Sequence, residues 1–311
     1  MPATRLERAV DAVLRRCLAI REGEDVVIVA DPDSVELARA LLDGARAAGA
    51  DAVAIELPPL GRRGTEPPPT VAAALAASDV FIAPCLPSLS HTRARATASE
   101  TGARGATMPG ATVDTVARLM TADFDVMARR SRAVAELLTA ADGARMTCPH
   151  GTELELDLRG REGIGDDGDL AAVGAFGNLP CGEGFIAPAG GSGRLVAHSI
   201  ARLGRTPPRR IEVEEGRLVD ADDPQFLELL DAHGPDGRHL AELGVGTNEN
   251  ATLTGNMLED EKILGTCHVA FGASASIGGT VAVPVHLDTL VLDPTLVVGG
   301  TTVVEAGRFV L

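Results

Sequence analysis

The sequence contains no tryptophan and no tyrosine, and only seven phenylalanines among its 311 residues. Without tyrosine, no mechanism can use a phenol as an acid or as an oxyanion donor. The shortage of aromatic side chains also argues against binding of single-stranded nucleic acid, because such proteins stack the bases on aromatic rings. In other respects the composition is that of a globular protein, with 45% hydrophobic and 23% charged residues, and this excludes long disordered stretches.

Positive charge is also scarce, because 28 basic residues face 44 acidic ones and the formal net charge is −16. A negative field of this size repels nucleic-acid backbones and anionic membrane surfaces. No basic run of five or six residues offsets it, and the segment RTPPRR at 205–210 is short and typical of a loop. We therefore expect neither nucleic acid nor a membrane among the partners of this protein.

Signals for export and for disulfide bonds are missing as well. The first ten residues, MPATRLERAV, carry charge where a signal peptide needs an apolar core. No run of about 18 apolar residues is present, so no segment is expected to span a membrane. The five cysteines are scattered and form no C-x-x-C motif. These features predict a reduced, cytoplasmic protein.

The first half of the sequence alternates helical and strand patterns. Apolar residues at helical spacing occur at 5–19, 34–50, 70–78 and 113–141, and short apolar runs typical of buried strands occur at 25–31, 52–58 and 80–85. Strands that alternate with helices pair in parallel through right-handed crossovers. The pattern predicts an α/β, Rossmann-like domain with a parallel sheet over residues 1–142.

From about residue 143 the pattern changes. The segment MTCPHGTELELDLRGR alternates apolar and polar residues, which is typical of half-buried strands. Glycine is dense over 160–193 and 265–300, and the final residues form short β-branched runs between Gly and Pro. We predict a β-rich, α+β and partly barrel-like domain over residues 143–311, separated from the first domain by a cleft.

Common cofactor and nucleophile motifs are absent. The first predicted strand is followed by DPDSVELA rather than by G-x-G-x-x-G, so a dinucleotide site is not supported. The sequence also lacks a G-x-x-x-x-G-K-[ST] phosphate loop and a G-x-S-x-G nucleophile turn. The chemistry must therefore be sought in other residues.

The pair His286 and Asp288 is the most informative short pattern. Residues two apart in a strand point to the same face, so this imidazole and this carboxylate would form half of a metal site. Taken alone, the pair is better explained by a hydrogen bond that orders the strand. Three further candidates in the same predicted domain favour a metal site over a simple hydrogen bond: His268 in TCHVAFG, Glu183 in FGNLPCGEGFIAP and Glu242 in LAELGVGTN. A single acid in an apolar segment needs a partner, because burial of an unpaired carboxylate is costly.

These residues allow two coordination schemes. Two histidines with one carboxylate form the facial triad of non-haem Fe(II) oxygenases. Two histidines with three carboxylates can instead hold two divalent ions, with one glutamate bridging and another acting as general base on a metal-bound water. Ligand type alone leaves Zn, Co, Mn and Fe open.

The order of motifs resembles the superfamily of thermophilic-type metallo-aminopeptidases (the leucyl aminopeptidase T/S group), which includes the related 2,5-dihydroxypyridine 5,6-dioxygenases. The motifs that carry the resemblance are SLSHTRARATASETGARGATMPG at 88–110, GTELELDLRGR at 151–161, FGNLPCGEGFIAP at 176–188, ELGVGTNENA at 242–251, TGNMLEDEKILGTCHVAFG at 254–272 and HLD at 286–288. The resemblance covers most of the chain and implies a homodimer.

By resemblance to the aminopeptidases, the metal ligands are Glu183, Glu242, His268, His286 and Asp288. By resemblance to the dioxygenases, one Fe(II) is held by the two histidines and the aspartate, and Glu183 is a base that acts on the substrate. The aminopeptidases also carry a tyrosine shortly after the central histidine. Here that segment reads AFGASASIGG. By the resemblance, the tyrosine would assist the transition state, so Ser274, Ser276 or water would have to take its place.

Two further segments complete the candidates. His91, Thr92, Arg93 and Arg95 follow the third predicted strand, and ligands of α/β sheets bind near the carboxyl ends of strands. We expect these four residues to reach across the cleft to a substrate carboxylate, which arginine can bind with two hydrogen bonds. The charged turn Glu259–Lys262 is expected to be a solvated face with a local ion pair.

The sequence therefore predicts a metalloenzyme that acts on a small molecule or a short peptide. The preferred function is an aminopeptidase-type hydrolysis of an amide with one or two Zn, Co or Mn ions, in which Glu183 and Glu242 are catalytic. The alternative is a mononuclear Fe(II) extradiol-type dioxygenase that cleaves a hydroxylated pyridine or a similar ring. A third possibility is a binding protein that keeps the fold and holds no metal.

Overall fold

The protein forms two compact units in a computed structural model that describes residues 3–58, 66–86 and 88–311. The first unit comprises Met1–Ala122 and Gly168–Cys181, and the second comprises Asp123–Asp167 and Gly182–Leu311. The chain thus passes between the units at three points. None of the described helices is both long enough and apolar enough to cross a membrane.

A parallel sheet forms the first unit, as predicted. In the described residues its strands are β1 (Asp25–Ala30), β2 (Asp51–Glu56), β3 (Val80–Ala83), β4 (Arg104–Thr107) and β8 (Phe176–Asn178), in the order β2-β1-β3-β4-β8. Its helices are α1 (Arg5–Asp11), which continues into a π-helical turn (Ala12–Cys17), α2 (Val35–Ala47), α3 (Pro69–Ala77), α4 (Arg93–Glu100) and α5 (Val113–Leu119). The central strands β1 and β3 are almost wholly buried, which explains why they are continuous apolar runs.

Strand β8 returns from the glycine-rich segment to the first sheet. Phe176 pairs in parallel with Gly105 of β4, and its ring stacks on Phe81 of β3 at a centroid distance of 6.3 Å. A strand of three residues is too short to show a periodicity, so its pattern does not separate it from the antiparallel strands that surround it in sequence. Because the chain joins the first sheet only briefly here, Asn178 lies in the first unit and Glu183, five residues later, lies in the second.

Gly105 on β4 is expected to be intolerant of a side chain. A Cβ atom at this position would lie 2.5 Å from three atoms of the buried Phe81 ring. We expect Gly105→Ala to lower the free energy of unfolding by about 1–3 kcal/mol, the usual cost of overpacking. Urea denaturation measures the change, and Gly190→Ala is the control because a Cβ there meets nothing within 4 Å. Equal stability of the two variants would contradict this packing.

The second unit contains a large antiparallel sheet, again as predicted. In the described residues it has 13 strands: β5 (Gly143–Thr147), β6 (Glu153–Asp157), β7 (Gly163–Asp166), β9 (Glu183–Ile186), β10 (Gly190–Ile200), β11 (Gly204–Glu214), β12 (Arg217–Ala221), β13 (Leu240–Gly246), β14 (Cys267–Gly272), β15 (His286–Val291), β16 (Thr295–Val298), β17 (Thr301–Glu305) and β18 (Arg308–Phe309). The main path runs β18-β17-β16-β5-β6-β10-β15-β14-β13-β9-β7, and β11 joins β12 to β10. The helices are α6 (Phe124–Ala140), α7 (Pro224–Asp231) and α8 (Met257–Asp260).

Glycines allow helix α6 to pack closely on strands β7 and β9. A Cβ atom at Gly163 would lie 2.4 Å from the carbonyl oxygen of Ala135, and one at Gly184 would lie 2.7 Å from Cβ of Val134. The dense glycine of this region therefore serves close contact between a helix and a sheet. Because of this packing, α6 belongs to the second unit, and the beginning of β9 packs directly against α6.

The predicted loop at 205–210 is wrong, because these residues lie within strand β11. The β10–β11 ladder is irregular between Ala197 and Ser199, whose partners are Arg209 and Arg205. Pro207 and Pro208 thus lie opposite the irregular stretch, where their missing N–H groups interrupt no ladder hydrogen bond.

Candidate metal centre

All five predicted metal ligands lie on four adjacent strands of the antiparallel sheet, in the order β15-β14-β13-β9. The register pairs Glu183 with Gly246, His268 with Gly244, and Asp288 with Ala270. Adjacent strands are about 4.8 Å apart, so side chains on one face of this group can converge. The sheet thereby brings together residues that are up to 105 positions apart in sequence, from 183 to 288.

Glu242 lies at the middle of this cluster and contacts both imidazoles. Its Oε1 is 3.3 Å from Nε2 of His268, and its Oε2 is 3.2 Å from Nε2 of His286. On either side, Oε2 of Glu183 is 3.2 Å from Nε2 of His268, and Oδ1 of Asp288 is 3.3 Å from Nε2 of His286. In the described residues, the ligand atoms form two close groups, Glu183–Glu242–His268 and Glu242–His286–Asp288, and Glu242 belongs to both.

The cluster is largely buried and contains three carboxylates around two imidazoles. His268 is fully buried, and Glu183 and Glu242 are each only 7% exposed. Burial disfavours the imidazolium form, yet the surrounding carboxylates outweigh this and raise the pKa of His268 and of His286 well above the ordinary value. A site that holds protons so strongly also attracts divalent cations, which displace those protons when they bind.

The ring orientation of His286 suits a metal ligand. Its Nδ1 donates a hydrogen bond of 2.7 Å to the carbonyl oxygen of Ala273. In the neutral ring, this bond leaves Nε2 unprotonated and turned towards Glu242 and Asp288. In the described part of the chain, Oε2 of Glu183 is a buried atom that forms no well-aligned hydrogen bond, although it lies 3.2 Å from Nε2 of His268. The donor set fits a divalent ion bound by nitrogen and oxygen ligands.

Sequence comparison identifies the family. Residues 5–199 match the family model described as NicX, 2,5-dihydroxypyridine 5,6-dioxygenase. The chain belongs to this family. Members of the NicX family are enzymes, so the chain is an enzyme of the predicted superfamily, which includes the 2,5-dihydroxypyridine dioxygenases. No curated protein sequence shows significant similarity to it.

Two solved structures share the fold over nearly the whole chain. The 2,5-dihydroxypyridine dioxygenase from Pseudomonas putida KT2440 is 20% identical with a TM-score of 0.83, over 99% of this chain and 98% of that one. Wild-type AmpT from Thermus thermophilus is 19% identical with a TM-score of 0.73, over 99% of each chain. The family model ends before β13, so four of the five predicted ligands lie beyond the matched residues.

Lys262 contacts this cluster, a contact that the sequence pattern did not predict. Its side chain is 1% exposed, and Nζ forms an ion pair with Oε1 of Glu183, another of 2.9 Å with Oε1 of Glu261, and a longer one of 3.5 Å with Oδ2 of Asp166. Burial raises the pKa of Asp166 to about 7 and that of Glu261 to about 8, although the lysine charge opposes both shifts.

The prediction that residues 259–262 form a solvated face is wrong. Glu259 and Asp260 are fully buried and accept hydrogen bonds from backbone N–H groups of the preceding segment. Thr252 donates to Glu259, and Thr254 and Gly255 donate to Asp260. A single helical turn is too short to show which of its faces is buried, so the charge pattern alone could not separate the two cases.

The four predicted substrate residues lie in the first unit, at the start of α4. Thr92 caps the helix by accepting a hydrogen bond from the N–H of Arg95. The guanidinium of Arg95 lies 4.3 Å from the centroid of the Phe176 ring and donates to the carbonyl of Ser90. His91 is exposed, as is the side chain of Arg93, at 92%. Their role in substrate binding stays a prediction.

Proposed function

We propose that the protein is a mononuclear Fe(II)-dependent dioxygenase that opens the ring of a hydroxylated pyridine or a similar small aromatic compound. The observation that carries the proposal is that Glu242 contacts Nε2 of both imidazoles, with Asp288 beside His286, in a chain of the NicX family. From the sequence, a hydrolase was the preferred prediction and a dioxygenase was the alternative. The family match favours that alternative.

In the proposed site, His268, His286 and Asp288 hold one Fe(II). When bound, Fe(II) would supply the electron transfer that allows dioxygen to react with an aromatic ring. Glu242 contacts both imidazoles, one through each of its oxygens, and so orients the two rings on either side of its carboxylate. Oε2 of Glu183 is the proposed acceptor for the proton of a ring hydroxyl, since it lies beside His268 and forms no well-aligned hydrogen bond in the described residues.

Burial of these side chains serves the same chemistry. Glu183 and Glu242 are each 7% exposed, so bulk water does not compete for their oxygens. In such surroundings, charges and hydrogen bonds act more strongly on a bound substrate than they do in water. We also propose a homodimer, as the sequence resemblance implies.

Oxygen uptake tests this function. Protein loaded anaerobically with Fe(II) is expected to consume one dioxygen for each 2,5-dihydroxypyridine ring opened, followed by an oxygen electrode and ring absorbance. We expect Asp288→Asn to lose more than about 100-fold in this rate, because loss of a direct ligand exceeds the usual effect of losing a residue that only orients a ligand. The control Asp293→Asn alters an exposed carboxylate that pairs with His150 and should retain the rate. Iron-loaded protein that consumes no oxygen with any dihydroxypyridine would contradict the proposal.

A second candidate is an aminopeptidase-type hydrolase with two ions. The observation that favours it is the division of the ligand atoms into two groups that share Glu242, since two-metal sites use such a bridging carboxylate. This function predicts two Zn, Co or Mn ions per chain and release of amine from an aminoacyl amide. Elemental analysis after loading with each metal, together with an amine-release assay, separates the two candidates.

A further inference from the structure

The chain contains one lysine. Of its 28 basic residues, 27 are arginine, and the single lysine is Lys262. Elsewhere the protein uses arginine for its cations, including the buried ion pair between Arg104 and Glu24. A composition so biased towards arginine makes the exception informative, because it lies at one of the most deeply buried charged positions, 1% exposed, beside the metal centre.

The geometry around Lys262 suits an ammonium and not a guanidinium. An ammonium is a compact charge with three N–H donors, whereas a guanidinium is a planar fork with five. Three carboxylates surround Nζ, those of Glu183, Glu261 and Asp166. Each N–H therefore has one acidic partner. The larger, flat guanidinium would need space that a fully enclosed site does not offer.

The contact with Glu183 links this lysine to the metal centre. Lys262 engages Oε1 of Glu183, while Oε2 of the same carboxylate lies 3.2 Å from Nε2 of His268. With one oxygen held by the ammonium, the carboxylate cannot rotate freely. Glu261 and Asp166 in turn hold the ammonium in place.

We infer that Lys262 is a positioning residue of the metal centre, which fixes Glu183 so that only Oε2 is directed towards the ion and the substrate. The inference rests on the proposed function in one respect, namely that the cluster binds a divalent ion. Partners that orient groups at a metal site typically change affinity by about 10–100-fold when they are removed. The role is indirect, since Lys262 acts through Glu183.

A double-mutant cycle tests this role by calorimetric titration with Zn²⁺. We expect Lys262→Met to weaken Zn²⁺ binding by about 10–100-fold in the wild-type background. In the Glu183→Gln background, the same change should alter the Kd by less than about threefold, because the carboxylate that Lys262 positions is already gone. The inference would be overturned if Lys262→Met changed the Kd for Zn²⁺ by the same factor in both backgrounds. It would also be overturned if Lys262→Met left the Kd of the wild-type background unchanged or lowered it.

Arg104→Met is the matched control, because it removes a buried cation from the first unit, where none of the five ligands lies. It should lower stability and leave the Kd for Zn²⁺ unchanged. Weakening equal to that of Lys262→Met would show that loss of any buried cation has this effect, and this too would overturn the inference.

A measurement on the unmodified protein covers the case in which Lys262→Met does not fold. Selective ¹⁵Nζ-lysine labelling gives one side-chain signal, because the chain has one lysine. We expect a slowly exchanging ammonium signal that shifts upon addition of Zn²⁺ and saturates with it. A signal that exchanges as fast as a free amine, or one unmoved by bound Zn²⁺, would overturn the inference. Wild-type protein that binds no divalent ion would contradict the proposed function as well, whereas normal binding with an additive cycle contradicts only the role of Lys262.

Discussion

Glu242→Gln is expected to weaken divalent metal binding by about 100-fold or more. The substitution keeps the shape of the side chain but removes its charge and replaces one oxygen by an amide NH₂ group, which cannot bind a metal. Glu242 contacts both imidazoles, through Oε1 and Oε2, and is the residue shared by the two ligand groups. In glutamine, one of these two positions becomes NH₂. Either His268 or His286 therefore faces an amide N–H donor instead of a carboxylate oxygen.

Titration with Co²⁺, followed by absorbance and calorimetry, measures this effect. Glu249→Gln is a suitable control, since Glu249 pairs with Arg130 at 2.9 Å and lies outside both ligand groups. The control should bind Co²⁺ like the wild-type protein. The variant also separates the candidate functions, because a two-ion site that shares Glu242 loses both ions, whereas a single Fe(II) at the triad is weakened. Wild-type affinity in Glu242→Gln would show that Glu242 does not take part in the centre.

Gly244→Ala is expected to abolish the centre although glycine has no functional group. Gly244 pairs directly with His268 across the β13–β14 ladder. A Cβ atom there would lie 2.0 Å from Nε2 and 2.1 Å from Cε1 of His268, whose ring is fully buried. Since the ring cannot remain in place, His268 must turn away from Glu183 and Glu242.

We expect this variant to lose at least about 100-fold in metal affinity, because it displaces a ligand. It should also lose about 1–3 kcal/mol of stability through overpacking. Metal titration and urea denaturation of the same preparation measure the two effects. Gly190→Ala on β10 of the same sheet is the control, since its added methyl group meets no atom within 4 Å. Normal metal binding by Gly244→Ala would contradict the placement of the His268 ring.

The elements that the sequence predicts well are those with a clear period and sufficient length. Strand β1 is buried along almost its whole length and is a continuous apolar run, and β6 alternates as ELELD. Strand β8 has three residues and β11 contains two prolines, so neither shows a readable period. Their positions depend on partners that are distant in sequence.

At the metal centre, residue type and motif order were enough to predict five ligand candidates. The structure brings all five together, and their direct role as ligands stays a proposal. Two neighbours could not be predicted in the same way. Gly244 has no chemistry of its own and matters only because His268 lies opposite to it. Lys262 lies in a charged turn that looks exposed, and its uniqueness in the composition was the one available signal.

By itself, the sequence determined the parallel and antiparallel halves of the fold and the residue types available to bind a metal. These properties follow from local periodicity and side-chain chemistry, which are independent of distant contacts. Only the tertiary structure decided that Glu242 joins two ligand groups, that Lys262 is enclosed by three carboxylates, and that Gly244 leaves space for an imidazole. The reason is strand pairing, because the register between β9, β13, β14 and β15 determines which side chains share one buried face.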